Sequence, residues 1–443
     1  MEPFMPTMTL PGRGLALGLL LVPAAAIADF FEDSKQSLEL RNFYMNRDYR
    51  DATDSTNTRP PKLVNKDEFR SKSEEWAQGV ILRYESGFTE GTFGLGVDAI
   101  AGLGIRLDSG RGRSDTQLLQ IDRSEGRAER SYGDLGLTAK ARVAESVLRV
   151  GTLMPRLPSV SANLEGRLLP QSFQGAQLTS TDIDGLSFNL GHLNRINQRY
   201  SSDHEPMTLN NIPRGMPVNK AGRFSPGKVG QSDSFDFASF SYRWNPGLTT
   251  AYNVSRLEGL YRQHILNGVH VLPLGEGRSL RTDLRLSRSS DDGGTNVDNK
   301  AFSGMLSYAF GHTRLGVSYQ KMTGDTGYVY INGTDPFLVN YSQVRDFANK
   351  DEKSWQLRYD YDFAGLGIPG LSLFTRYVSG HGVDRGPDQS SGREWERDFD
   401  VTYVVQNGPL KNLSLRWRNT MIRSNFFRDL DENRLIVGYR FEF

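Results

Sequence analysis

The sequence predicts an all-β fold, a transmembrane antiparallel β-barrel of about eighteen strands with a constriction loop folded into its lumen. Segments of roughly ten residues alternate apolar and polar side chains with period two, the length a tilted strand needs to cross a bilayer. No stretch reaches the ~20 apolar residues of a spanning helix, so any crossing must be made by strands. The composition is 37% hydrophobic and 24% charged, with a mean hydropathy of −0.50. That is too polar for a helical membrane protein, but it fits a barrel in which only alternate residues meet lipid while lumen and loops stay wet.

Taken in order, the chain opens on Arg13, the apolar run Leu15-Ala16-Leu17-Gly18-Leu19-Leu20-Leu21-Val22, Pro23, and small residues ending Ala26-Ile27-Ala28. This is the layout of a secretory leader with an Ala-x-Ala cleavage site. Residues 1–28 are therefore expected to be a signal peptide for Sec export, and 29–443 a single barrel domain. Strand one starts near Ser37, with no globular segment ahead of it to act as a plug. Strand three is the clearest: Phe93, Leu95, Val97, Ala99, Ala101, Leu103, Ile105 and Leu107 point one way, and Gly94, Gly96, Asp98, Gly102, Gly104 and Arg106 the other. Similar faces recur at Leu135/Leu137/Ala139, Phe240/Tyr242/Trp244, Leu306/Tyr308/Phe310, Trp355/Leu357/Tyr359 and Phe399/Val401/Tyr403. Short turns such as Asn245-Pro246-Gly247 and Gly408-Pro409-Leu410 alternate with long polar loops at 48–75, 107–132, 193–233, 323–353 and 380–393. Short turns on one side and long loops on the other give the sidedness of an outer-membrane barrel. Residues 153–172 carry Pro155, Pro158 and Pro170, too many prolines for a spanning strand, and read as the loop that folds inward.

The last strand places Leu435, Val437, Tyr439, Phe441 and Phe443 on one face and Ile436, Gly438, Arg440 and Glu442 on the other. A chain that ends on an aromatic in such a strand resembles the closing strand of bacterial outer-membrane barrels, whose terminal residue is read by the insertion machinery.

Lys and Arg number 53 and Asp and Glu 52, so the net charge of +1 points to no class of partner, nucleic acid included, and electrostatic function must rest on placement. With no cysteine there is no disulfide, thiol or zinc-thiolate chemistry. His192, His204, His264, His270, His312 and His381 fall in no Ser-His-Asp or metal-ligand spacing, and Asp291-Asp292-Gly293-Gly294 lacks an EF-type continuation. No enzyme activity and no cofactor are expected. With the apolar faces turned outward, the inward positions hold Arg41 and Arg47 on strand one, Arg83 on strand two, Arg106 on strand three and Lys140 and Arg142 on strand four. Strands seventeen and eighteen, their neighbours in a closed barrel, add Arg416, Arg418, Arg434 and Arg440. One wall of the lumen is thus expected to be basic, and a ladder of guanidiniums passes a carboxylate along without one tight site. The competing reading pairs these cations with Glu39, Glu85, Asp98 and Glu442; the expectation here is that the acids on this wall are too few.

Several segments resemble a known family in its own order: Asn42-Phe43-Tyr44-Met45-Asn46-Arg47-Asp48, Trp76-Ala77-Gln78-Gly79, Tyr84-Glu85-Ser86-Gly87-Phe88, Gly166-Arg167-Leu168-Leu169-Pro170-Gln171, Glu352-Lys353-Ser354-Trp355, and Tyr403-Val404-Val405-Gln406-Asn407-Gly408-Pro409. On these the chain is similar to the OprD family of substrate-specific outer-membrane porins of pseudomonads. The resemblance implies an eighteen-stranded barrel, monomeric or loosely trimeric, that takes up carboxylates past a basic ladder and a narrow eyelet. Carried over by motif, the ladder comprises Arg47, Lys140, Arg142, Arg167, Arg416 and Arg418, with Arg41 beside it on strand one, and the acidic side of the eyelet Asp346 and, more loosely, Asp335. Val344 stands where the family's basic-amino-acid transporters carry an aromatic, which directs the expectation toward the aromatic and cyclic carboxylate branch.

The expected function is facilitated diffusion of small organic anions across the bacterial outer membrane. A general, weakly anion-selective porin and a barrel enzyme or adhesin acting through its outer loops are the alternatives. Besides carboxylates, the expected partners are outer-membrane lipid, lipopolysaccharide and the barrel assembly machinery.

Overall fold

The computed structural model describes residues 28–50, 71–110, 112–122, 126–210, 230–386 and 389–443. Residues 1–27 of the expected 1–28 leader lie outside the described residues. After a short helix, Ala28–Glu32, the chain runs through eighteen long strands, each antiparallel to the next. The first nine are β1 (Lys35–Tyr49), β2 (Lys72–Glu85), β3 (Gly94–Asp108), β4 (Ser131–Val143), β5 (Ser146–Leu153), β6 (Ser172–Ile183), β7 (Leu186–Asn197), β8 (Phe235–Asn245) and β9 (Leu248–Leu257). The second nine are β10 (Tyr261–Gly275), β11 (Arg278–Asp291), β12 (Asp298–Phe310), β13 (Thr313–Thr323), β14 (Lys353–Asp362), β15 (Leu371–Val383), β16 (Gly392–Val404), β17 (Ser414–Ser424) and β18 (Leu430–Glu442). The two-residue strand His204–Glu205 adds to the end of β7.

Closure comes from β18 pairing with β1, in register from Ser37 opposite Glu442 to Tyr49 opposite Leu430. That pairing closes the sheet on itself, so it turns no open edge to lipid. Alternation sorts the faces as the sequence predicts. Leu95, Leu135, Leu137, Leu266, Val317, Leu357, Leu415 and Leu435 are all exposed on the outside. Two-residue turns close β4–β5, β6–β7, β8–β9, β10–β11 and β12–β13 at one end. The long segments 154–171 and 324–352 lie at the other end, which also holds the three-residue link 258–260.

The inside departs from the expected wet lumen. Phe43 and Met45 of β1 and Ala77 and Ile81 of β2 point inward yet are fully buried, against Leu118, Leu119, Leu168 and Leu169 of two infolded loops. A second cluster joins Val160 and Ala162 to Phe173, Leu193, Phe235, Val329 and Ile331. The upper barrel therefore holds a packed plug made of its own loops. Gly79 of β2 admits it: a Cβ there would lie 3.1 Å from Leu168 Cγ and 3.2 Å from its carbonyl oxygen. Apolar inward side chains cost nothing in a lumen once a loop covers them, and each buried Leu or Phe contributes roughly 1.5–3 kcal/mol to holding that loop.

A constriction between two infolded loops

The infolded segment 154–171 meets segment 324–352 across a cavity of about 1140 Å³. Arg41 of β1 anchors the first loop by donating to the carbonyls of Arg167 at 2.8 Å, Leu164 at 3.3 Å and Leu168 at 3.4 Å, while Glu39 pairs with its guanidinium. Arg41 thus positions the loop and does not line the cavity. The second loop is fastened by the acids of β16. Glu396 accepts backbone N–H groups of Val344 at 3.0 Å and Arg345 at 2.7 Å, Glu394 pairs with Arg345 at 2.6 Å, and Asp398 accepts from the Gln343 amide at 3.3 Å. Arg434 of β18 reaches both loops, with its guanidinium 3.5 Å from the Gly166 carbonyl and 3.4 Å from that of Gln343.

Of the expected ladder, Arg47, Arg167, Arg416 and Arg418 line this cavity, as do Asp335 and Asp346. Lys140 and Arg142 do not. Lys140 donates to the Ser86 carbonyl at 2.7 Å and pairs with Asp98 at 2.6 Å, and both cations lie over the Phe88 ring beside the short β2–β3 turn. Gly96 makes room for that reach, since a Cβ there would sit 2.6 Å from Lys140 Cε.

The wall is also more fully paired than the sequence reading allowed. Arg47 and Arg434 each lie 2.6 Å from Glu432, and Arg416 and Arg418 lie 2.6 and 2.8 Å from Asp400. Acids are therefore not too few on this wall, because Glu432 of β18 and Asp400 of β16 supply the partners. The signal was present in β16, where Glu394, Glu396, Asp398 and Asp400 alternate with Trp395, Arg397, Phe399 and Val401 and so share the inner face.

Two cations lining this cavity differ from the rest. Arg167, in the infolded loop and 5% exposed, donates to carbonyls alone among the described residues, Thr116 at 3.1 Å and Gly166 at 2.7 Å. Arg199 donates to the Gln117 side-chain oxygen at 3.0 Å, and its buried Nε has no hydrogen-bond partner among the described residues. Burial, and then the neighbouring guanidinium of Arg434, pushes the pKa of Arg167 down; burial does the same to Arg199. Glu432 opposes the shift at Arg167, as do Tyr341 and Asp335 at Arg199, but none outweighs burial.

The facing side is acidic and phenolic. Asp335 accepts from Asn163 at 2.7 Å and from the Tyr341 hydroxyl at 2.8 Å, which ties the two loops together. Asp346 accepts from the Tyr330 hydroxyl at 2.5 Å, and burial raises its carboxyl to about 6 against that hydrogen bond. Arg199, Tyr330 and Tyr341 were not singled out from the sequence, because only the folded loops bring them to the cavity.

The strands close into a barrel that holds this polar cavity inside it, and residues 28–443 match the family model described as outer membrane porin, OprD family. The chain belongs to the OprD family of outer-membrane porins. It is 36% identical to the porin-like protein GalP of Pseudomonas putida over 94% of each chain. Among solved structures it is similar to Pseudomonas aeruginosa OpdQ, with a TM-score of 0.82 and 49% identity, covering 94% of this chain and 99% of that one. Pseudomonas aeruginosa OpdK, solved with vanillate, matches with a TM-score of 0.81 and 34% identity over 94% of this chain and 100% of that one. As an OprD-family porin the protein is an outer-membrane channel and not an enzyme.

Proposed function

We propose that this porin passes small carboxylate-bearing molecules, aromatic and cyclic ones among them, by facilitated diffusion down their gradient. The observation that carries the reading is the pair Arg167 and Arg199, two cations that line the cavity between the infolded loops and have no carboxylate within ion-pair distance among the described residues. A permeating carboxylate supplies the missing partner, accepting charge-assisted hydrogen bonds in a site partly shielded from water. Tyr330 and Tyr341 offer aromatic surface on the opposite side, suited to a ring. The relative OpdK was solved with vanillate, an aromatic carboxylate, which supports the same substrate class for this chain.

Arg47, Arg416 and Arg418 enter the proposal in a lesser role: their acids hold them in place, and they contribute to a passing anion only what Glu432 and Asp400 leave uncompensated. That pairing is also what favours the second reading, a general porin of weak anion preference. Single-channel recording decides between them. The carboxylate channel should be blocked by vanillate and benzoate, less by lysine, and Arg167→Ala should weaken vanillate block by roughly tenfold or more, the value of one charge-assisted contact of about 1.5–3 kcal/mol. Equal, weak effects of all three solutes on both proteins would establish the general porin.

A further inference from the structure

We propose that the outer face of β13 to β16 binds the phosphate-bearing headgroup of lipopolysaccharide in the outer leaflet, through Lys321, Lys353 and Arg393. These side chains stand in one row with His381. Lys321 is the register partner of Lys353, Lys353 of His381, and His381 of Arg393. All four are exposed, and each shares the parity of its strand's lipid-facing residues.

Neighbouring strands are about 4.8 Å apart, so the row sets one basic group beside the next across four strands. Like charges directly opposite in a sheet are destabilising, and proteins normally relieve them with a carboxylate. Elsewhere on this rim that relief is present: Arg256 and Arg262 share Asp292 at 2.8 and 2.5 Å, and Arg423 pairs with Asp431 at 2.7 Å. No carboxylate lies within ion-pair distance of Lys321, Lys353, His381 or Arg393 among the described residues, and nearby Asp384 is held by Lys350 at 2.9 Å. An anion from outside the protein completes the row.

Position selects the anion. These strand ends border the long connections 324–352 and 384–391, which places them on the extracellular side. Two residues along each strand stand Tyr319, Trp355 and Trp395, and the rings of Trp355, Tyr377 and Trp395 follow one another at 5.6 Å centroid spacings. Such an aromatic girdle marks the boundary between hydrocarbon and headgroups. Below it Val317 and Leu357, about half exposed, offer a surface for acyl chains. A phosphorylated glycolipid with its tails on that surface carries its phosphates to the level of the basic row, where each accepts charge-assisted hydrogen bonds from Lys and Arg.

The test uses the full-length folded porin in detergent and vesicles of bisphosphorylated lipid A. The natural protein should retain the lipid. K321Q/K353Q/R393Q should bind it at least about tenfold less tightly, and K321R/K353R/R393K as the natural protein does. Vesicles of dephosphorylated lipid A should bind the natural protein no better than the glutamine variant binds lipid A. Because the row faces away from the lumen, single-channel conductance of the glutamine variant should be unchanged, which also reports that it is folded. If the triple variant does not insert, K353Q alone should show an intermediate loss. Undiminished lipid A binding in the folded glutamine variant overturns the proposal. So does displacement of the lipid by millimolar inorganic phosphate, which would mark an anion site indifferent to the membrane.

Discussion

Asp346 shows how much one side chain's surroundings decide. Its carboxyl is held at about 6 because the loop wall buries it, while the Tyr330 hydroxyl opposes the shift. It is therefore ionised at neutral pH and takes up a proton as the pH falls through 6, so the constriction loses a negative charge there. Reversal potentials measured between pH 7.5 and 5 should move toward greater anion preference, and Asp346→Asn should show that preference at every pH with the step gone. A pH step of equal size in the variant would assign the titration to another group. The sign for stability follows from the same shift: a carboxyl whose folded pKa is raised binds more protons folded than unfolded, so between about 4 and 6 the fold loses stability as the pH rises. Arg41 makes the complementary point, since a residue placed on the basic wall by strand alternation turns out to hold three loop carbonyls.

At the scale of the element, β16 and β18 are each built for two tasks on two faces. The inner face of β16 fastens loop 324–352, with Glu396 alone accepting two backbone amides. Glu396→Ala would leave those amides without partners, at roughly 1–3 kcal/mol each. The loss falls on the loop and spares the barrel ladder. The expected outcome is higher, noisier single-channel conductance and weaker carboxylate block with normal heat-modifiable mobility; loss of the folded band would instead make Glu396 part of barrel stability. β18 seals the barrel, but its last residue does little of that work: Phe443 is 68% exposed and adds one backbone bond, to Gln36 at 3.2 Å. Deleting Phe443 should therefore cost the finished barrel little while leaving unfolded chain in the periplasm, as expected if the terminal aromatic is an insertion signal. Surface levels equal to those of the intact chain would remove that role.

For the whole molecule, the balance of charge in the lumen matters more than any single cation. Arg416 and Arg418 share one buried carboxylate, Asp400, so removing both arginines leaves that acid uncompensated in the passage. Arg416→Ala/Arg418→Ala should shift selectivity toward cations by more than the loss of two positive charges implies, because Asp400 is unmasked. Adding Asp400→Asn separates the readings. If the arginines hold the permeating anion, the triple variant still lacks carboxylate block; if they only neutralise Asp400, block returns to the natural level in planar bilayers.

Period-two alternation determines which residues meet lipid and which point inward, because a strand has only two faces and one of them must be apolar in a bilayer. The strand number and the basic composition of the strands around β1 were legible on that ground, the sidedness from the lengths of turns and loops, and the infolding of 153–172 from its prolines, while the motifs around Arg47, Arg167 and Trp355 carried the family. Alternation says which way a side chain points but not what stands opposite it. Whether Arg416 is free or paired depends on register with β16, and whether Phe43 meets water or Leu168 depends on where two loops come to rest. Contacts of the infolded loop with segments far away in sequence, such as Asn163 with Asp335 and Gly166 with Arg434 of β18, leave no periodic trace in the loop. The barrel is thus written locally in the chain, whereas the constriction is decided only when tertiary packing sets the infolded loops against the wall.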